Sequence, residues 1–104
     1  MIRSNVIRQS AKGKPCALQI ADVRFHDPET TVLCHVKFPG MHGMGLKPND
    51  VGASVYGCFH CHAIIDGYKL PKEEYWFYLA RGIARTVQSM YDEGLISIKG
   101  DRSD

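Results

Sequence analysis

The run Cys58-Phe59-His60-Cys61-His62 places two thiols and two imidazoles within five residues. A Cys-x-x-Cys turn lets two sulfurs reach one tetrahedral ion, and sulfur with imidazole nitrogen is a donor set suited to zinc. His62 follows the second cysteine and projects away from the sulfur pair. One turn can therefore hold a structural metal and offer an imidazole to a second site. The same cysteines also suit a thioredoxin-like redox pair, but that motif normally opens a helix in a βαβ context, and this chain has only one long helical pattern.

Elsewhere stand the groups that one-metal hydrolysis of a phosphodiester would require: a base to activate water, a cation to stabilise developing charge, and something to orient the base. His35 can act as the base, since histidine titrates near neutrality. Asp50 and His62, on either side of one extended stretch, can orient that base and bind the cation respectively. Lys37, His42 and Lys47 are available to meet phosphate, and Arg81 and Arg85 lie one helical turn apart and offer two more cations. Each residue also has a plainer use. His35 can be a hydrogen-bonded strand histidine, Asp50 a turn cap after Pro48-Asn49, Asp66 a cap or salt-bridge partner, and the two arginines solvated charges.

The elements that must position these groups can be read from periodicity. Residues 30–38, Thr30-Thr31-Val32-Leu33-Cys34-His35-Val36-Lys37-Phe38, form the best strand candidate, with Thr31, Leu33, His35 and Lys37 on one face. Val32, Cys34, Val36 and Phe38 form the more apolar face, where Cys34 reads as a small buried hydrophobe. Residues 16–20 alternate as a short strand would, and Asp27-Pro28-Glu29 marks a turn. Residues 39–50 hold three glycines and two prolines and form a long loop, the kind of element that often carries a site. Residues 51–56 should be extended, and a short helix should begin over residues 61–65 and stop at Gly67. The clearest signal is Trp76, Leu79, Ile83, Val87 and Met90, an apolar stripe at helical spacing between Pro71 and Gly94. Residues 95–99 are predicted to close the chain as a short strand.

Length and composition bound the rest. The 104 residues fit one domain, 1–104, small enough that a metal would add useful stability. A formal charge of +2 is mild, so affinity for nucleic acid must come from a local patch. Arg3, Arg8, Lys12 and Lys14 make one such patch in a basic N-terminal arm, residues 1–14, able to touch phosphate or to remain a flexible, solvated tail. There is no apolar leader and no run of transmembrane length, which predicts a cytoplasmic protein with reduced thiols and no membrane partner. Oligomeric state is not encoded in any of these features.

The order of residues from His35 through Asp50 to Cys58-Phe59-His60-Cys61-His62 resembles the HNH, or ββα-metal, endonuclease motif. Nearly the whole chain, about residues 14–97, resembles the small prophage-encoded YbcO-like nuclease family. The matching stretches are Pro28-Glu29-Thr30-Thr31-Val32-Leu33-Cys34-His35, Gly43-Met44-Gly45-Leu46-Lys47-Pro48-Asn49-Asp50, residues 58–67, Gly82-Ile83-Ala84-Arg85-Thr86 and Glu93-Gly94-Leu95-Ile96. This resemblance implies an α+β fold: a small ββα-metal (HNH, His-Me finger) core with a long glycine-rich loop and a C-terminal packing helix. It implies a metal-dependent DNA endonuclease with His35 as general base, Asp50 where HNH enzymes often place asparagine, and His62 as ligand to Mg²⁺ or another divalent cation. It also implies a structural Zn²⁺ on cysteines, matched by Cys16, Cys58 and Cys61. Arg24 stands where the family usually has the fourth cysteine and cannot bind zinc, which leaves a three-cysteine site, a substitute ligand or no structural metal; His26 is the nearest substitute, ahead of Cys34 and His60. The alternative is a non-catalytic, zinc-finger-like nucleic-acid-binding module.

Overall fold

The computed structural model describes residues 1–41, 43 and 45–100; His42, with its expected phosphate role, and Met44 lie outside the described residues. The architecture is α+β. Helix α1 (Asn5–Ser10) and a 3₁₀ turn (Pro28–Thr30) precede strand β1 (Val32–His35), which pairs antiparallel with β2 (Ser54–Gly57); helices α2 (Phe59–Asp66) and α3 (Lys72–Asp92) follow.

The strand pair is short because each end is claimed by another structure. Thr30 and Thr31 belong to the 3₁₀ turn and its cap, where Asp27 accepts from the Glu29 N–H, so β1 begins only at Val32. The register sets His35 opposite Ser54, and Val36 N–H donates once more, to Ala53 O at 2.9 Å. The expected two-faced strand is also altered: Leu33 and Cys34 are both buried, while Val32 is exposed. The hairpin is covered by helices and loops on both faces, so strict alternation does not apply.

Residues 16–20 do not form the expected strand. Ala17 N–H reaches Tyr56 O at 2.8 Å on the free edge of β2, but the chain then curls, with Gln19 at φ 43°, and brings Gln19 N–H to the Cys16 sulfur at 3.4 Å. The alternating apolar positions, Leu18 and Ile20, are buried in the core all the same. Residues 95–99 likewise form no strand. Leu95 N–H turns back to Met90 O at 2.9 Å after Gly94 adopts φ 75°, which closes the helix end instead of extending a sheet.

Helix α3 is the main support of the hairpin, and its buried stripe is rotated from the expected one. Leu79, Gly82, Thr86 and Met90 are the buried positions, whereas Trp76 is 41% exposed and Ile83 and Val87 are only half-buried. The cause is close approach at Gly82, where a Cβ would lie 2.6 Å from Val55 Cγ2 and 3.3 Å from Leu18 Cδ2. Thr86 Oγ1 fastens the contact by accepting from Tyr56 N–H at 3.0 Å and donating to Gly82 O at 2.7 Å. No helix among the described residues is long and apolar enough to cross a membrane.

The basic arm is folded rather than free. Ser4 caps α1 by accepting from Ile7 N–H at 3.2 Å, Ile7 and Ala11 enter the core, and Ser10 Oγ meets Tyr56 Oη at 2.8 Å. Three of its four cations have partners: Arg3 and Arg8 turn inward to Asp50, and Lys14 pairs with Glu93, while Lys12 is exposed.

Candidate active site and metal centre

Strand β2 delivers the chain to Cys58, the N-terminal cap of α2, and Cys61 falls in the first turn of that helix. The curl after residue 15 brings Cys16 to the same point, and the segment before the 3₁₀ turn brings His26. The three sulfurs and one imidazole nitrogen all lie within 4.8 Å of one another. His26 Nδ1 is 3.4 Å from Cys58 Sγ and 3.3 Å from Cys61 Sγ. A tetrahedral zinc separates sulfur and nitrogen ligands by roughly 3.5 Å, given its usual bond lengths, so the donor set fits such an ion. Among the described residues this is the one group of three or more His, Cys, Asp or Glu donors that converges so closely. All four cysteines are free thiols.

The surroundings prepare Cys16 as a thiolate. The hydrogen bond from the Cys61 thiol pulls Cys16 down to about 4 against the opposing effect of burial, helped by N–H groups of Cys58 at 3.3 Å and Gln19 at 3.4 Å. The same shared proton, with burial, pushes Cys61 up. Cys34 stays outside the cluster as a packed thiol, raised to about 12 chiefly by burial. His60 is exposed at the start of α2 and takes no part, so of the candidates for the fourth position the structure selects His26.

His62 leaves the same turn in another direction. It lines an open groove of about 530 Å³ together with His35, Lys37, Pro48, Asp66, Tyr68 and Tyr75. Its Nε2 lies 3.0 Å from Asp66 Oδ2, one helical turn on. At the end of β1, His35 Nε2 is 2.8 Å from Asp50 Oδ1. The carboxylate accepts from Nε2–H, which leaves the lone pair on Nδ1.

Asp50 is fully buried and held from three sides. Its Oδ2 accepts from Ser4 N–H at 2.6 Å and from the Arg8 guanidinium at 2.6 Å, and Arg3 stands 3.6 Å from Oδ1. Arg3 also donates to Pro48 O at 3.0 Å, and Asp50 N–H donates to Ile2 O at 2.7 Å, so the amino-terminal residues clamp the end of the loop. Burial alone would raise the Asp50 carboxyl, but the hydrogen bonds from His35 and Ser4 and the charge of Arg8 outweigh it and hold the group below its ordinary range.

A depressed folded-state pKa has a definite sign in stability. The unfolded carboxyl titrates near 3.8, so the clamp contributes fully above that value and is lost as pH falls through the lower folded value. Asp50→Asn should therefore melt below the wild type at pH 7, and the gap should close in acid. Thermal melts of both proteins between pH 7 and 2 check this; a gap constant with pH would show that the charge of Asp50 does not hold the arm.

The remaining expected contacts divide. Lys37 lines the His35 groove and is exposed; Lys47 is exposed beside the neighbouring hollow formed with Met1, Met41 and Asn49. Arg81 and Arg85 are not brought to the groove. Arg81 donates to Leu18 O and Gln19 O at 3.3 and 3.5 Å and lies over the Phe77 ring, while Arg85 donates to Ala17 O at 3.4 Å, so both brace the Cys16 curl.

Sequence reasoning missed two features of this site. The first is the arm that grips Asp50, whose partners are more than forty positions away in sequence. The second is an aromatic edge: Tyr68 stacks on Tyr75 at 5.4 Å, Tyr75 meets Trp76 edge-on at 5.1 Å, and Trp76 stacks on Phe38 at 6.0 Å. Tyr68 takes the left-handed position that ends α2, φ 50°, with Tyr68 and Lys69 N–H donating back to Ile65 and Ile64 carbonyls. Glycine normally fills that position, and a bulky side chain there costs about 1–2 kcal/mol. The signal available in sequence was a tyrosine just after Gly67, at a helix stop.

A family model described as "Putative nuclease YbcO" matches residues 5–95. Two relatives carry that description, one from Escherichia coli strain K12 and one from Enterobacteria phage 82. Each is 40% identical over 60 residues, covering 58% of this chain and 62% of the relative, so the match spans less than two thirds of their length. A solved structure, "Structure of a putative bacteriophage protein from Escherichia coli str. K-12 substr. MG1655", superposes with a TM-score of 0.69 at 30% identity, covering 86% of this chain and 100% of the other.

Proposed function

The chain belongs to the family described as "Putative nuclease YbcO", and from that premise we propose that it is a metal-dependent DNA endonuclease of the HNH, or ββα-metal, type that serves a phage or prophage. In this reading β1, β2 and α2 are the ββα-metal core. The observation that carries it is the His35–Asp50 pair, 2.8 Å apart on the wall of the groove that also holds His62. A buried, ionised carboxylate fixes the imidazole tautomer and stabilises the charge that develops as Nδ1 takes a proton from water, which is what a general base for phosphodiester hydrolysis must do.

His62 and Asp66 offer an imidazole and a carboxylate side by side; the carboxylate suits Mg²⁺, and the mixed pair suits a transition-metal divalent cation. When bound, such a cation supplies charge stabilisation to the phosphate and the leaving oxygen. Lys37 and Lys47 hold the phosphate backbone, while Arg81 and Arg85 serve the fold. Cys16, His26, Cys58 and Cys61 hold a structural Zn²⁺ that fixes the turn from which His62 projects. In this reading the DNA acted on is cytoplasmic.

A second reading, a non-catalytic nucleic-acid-binding module, draws on one observation. Among the described residues His62 and Asp66 are not joined by a third close donor, in contrast to the Cys/His cluster. One assay separates the two. Purified protein should nick or cut DNA when Mg²⁺ or Mn²⁺ is added and not without it. DNA binding with no cleavage across several divalent ions and DNA structures would favour the module.

A further inference from the structure

Two rings of the aromatic edge, Tyr68 and Trp76, stand at the surface, while Tyr75 between them packs against the core. Tyr68 is 67% exposed and Trp76 41%, and each is backed by a less exposed ring, Tyr75 and Phe38 respectively. The two exposed rings therefore offer supported faces instead of loose side chains. Tyr68 and Tyr75 also line the groove that contains His35 and His62, so this surface is continuous with the proposed site. We propose that these rings form a stacking platform for unpaired bases, and that the substrate is DNA with a single-stranded segment rather than intact duplex.

The proposal rests on the nuclease reading of the groove, and its chemistry follows from what each kind of DNA exposes. A duplex keeps its base faces stacked inside and shows mainly phosphate and groove edges, so flat aromatic surfaces gain little from it. A single strand presents π-faces that stack on aromatic side chains without regard to sequence, while its phosphates need cations alongside. Both requirements are met here. Lys37 is exposed on the groove next in sequence to Phe38, and the lining carries Lys37 and two imidazoles against a single carboxylate, Asp66, which is engaged by His62. The left-handed backbone of Tyr68 is the second observation: a tyrosine occupies a helix-end position that suits glycine, with its ring left at the surface.

Trp76 is the sole tryptophan, so intrinsic fluorescence reports from the platform itself. The protein, in buffer with no added divalent cation and no chelator, should be titrated with a twelve-nucleotide oligothymidine and with a blunt duplex of equal length. The expected result is quenching of Trp76 by the single strand and an affinity at least about tenfold above that for the duplex. Tyr68→Gly should weaken single-strand binding roughly fivefold or more, leave duplex binding unchanged, and keep or raise the melting temperature. Trp76→Ala, followed by anisotropy of a labelled oligonucleotide, should weaken it similarly. Equal affinity for the two DNAs, single-strand binding indifferent to both substitutions, or no binding of either DNA would overturn the proposal. Single-strand binding on the platform without cleavage under any divalent ion would uphold it while removing the nuclease reading. Cleavage of duplex and single strand alike, indifferent to Tyr68 and Trp76, would do the reverse.

Discussion

His35→Ala is expected to lower DNA cleavage by about 10²–10⁴-fold, the usual contribution of a positioned general base. That corresponds to about 2.7–5.4 kcal/mol of lost transition-state stabilisation. The proposed roles, an imidazole acting on water and lysines meeting phosphates, place the loss in turnover rather than in DNA affinity. His35 sits at the end of β1 and is half-buried, but its hydrogen bond helps hold the buried Asp50 carboxylate, so truncating it should lower the melting temperature by less than Asp50→Asn does and leave the metal content of the Cys/His cluster unchanged. Cleavage by the purified variant at wild-type rates, with folding intact, would remove His35 as the base.

The neighbours of His35 should be graded, and the order is informative. An asparagine at position 50 can still accept from Nε2–H through its carbonyl oxygen, so Asp50→Asn keeps the tautomer and loses only the charge. Its cost in cleavage should be smaller than that of His35→Ala, even though its cost in stability at neutral pH is larger. On the proposed reading the two residues divide the work of the site: His35 would react, and Asp50 is the point where the amino-terminal arm, the loop and β1 are tied together.

What the sequence made legible follows the range of the interactions involved. Helix α3 was readable because its signals are local: glutamates in the first turn, an apolar repeat, and Gly94 at the stop. The end of α2 at Gly67 was readable for the same reason, whereas its start lies at Phe59, two residues ahead of the expected Cys61. The rotation of the α3 stripe was not, because it is set by one close approach between Gly82 and Val55, a contact between distant segments. The packing of the arm was not legible, since Arg3 and Arg8 read as phosphate contacts or solvated charges until Asp50, forty-two residues beyond Arg8, is placed beside them. Residues 16–20 have the alternation of a strand, but after Ala17 pairs with Tyr56 the chain curls and the Gln19 N–H turns to the Cys16 sulfur. The alternation was real as a burial pattern and misleading as a secondary-structure signal. His26 was reached through the family resemblance, which sets Arg24 where a fourth cysteine usually stands and leaves a substitute ligand as one outcome; only the fold, across thirty-two residues, brings it to Cys58.

Removing the metal from Cys16, His26, Cys58 and Cys61 should have the largest effect on the fold. A structural zinc in a small finger contributes about 10–16 kcal/mol of apparent binding free energy at neutral pH, as much as or more than the 5–15 kcal/mol by which a domain of this size is stable. Here the four ligands join three segments that no long sheet connects: the curl after residue 15, the stretch before the 3₁₀ turn, and the start of α2. The purified chain should carry about one zinc by elemental analysis, and a strong chelator should lower its melting temperature by more than about 10 °C or abolish the transition. His26→Ala leaves three cysteines and should weaken zinc retention in competition with a chromophoric chelator, whereas His60→Ala, one residue before Cys61 but outside the cluster, should not. A chain that purifies without zinc and melts identically with and without chelator would dismiss the structural ion. The contrast with His35→Ala is what makes the two halves of the turn separable. One substitution should silence chemistry at constant metal content, and the other should release metal and with it the fold that places His62.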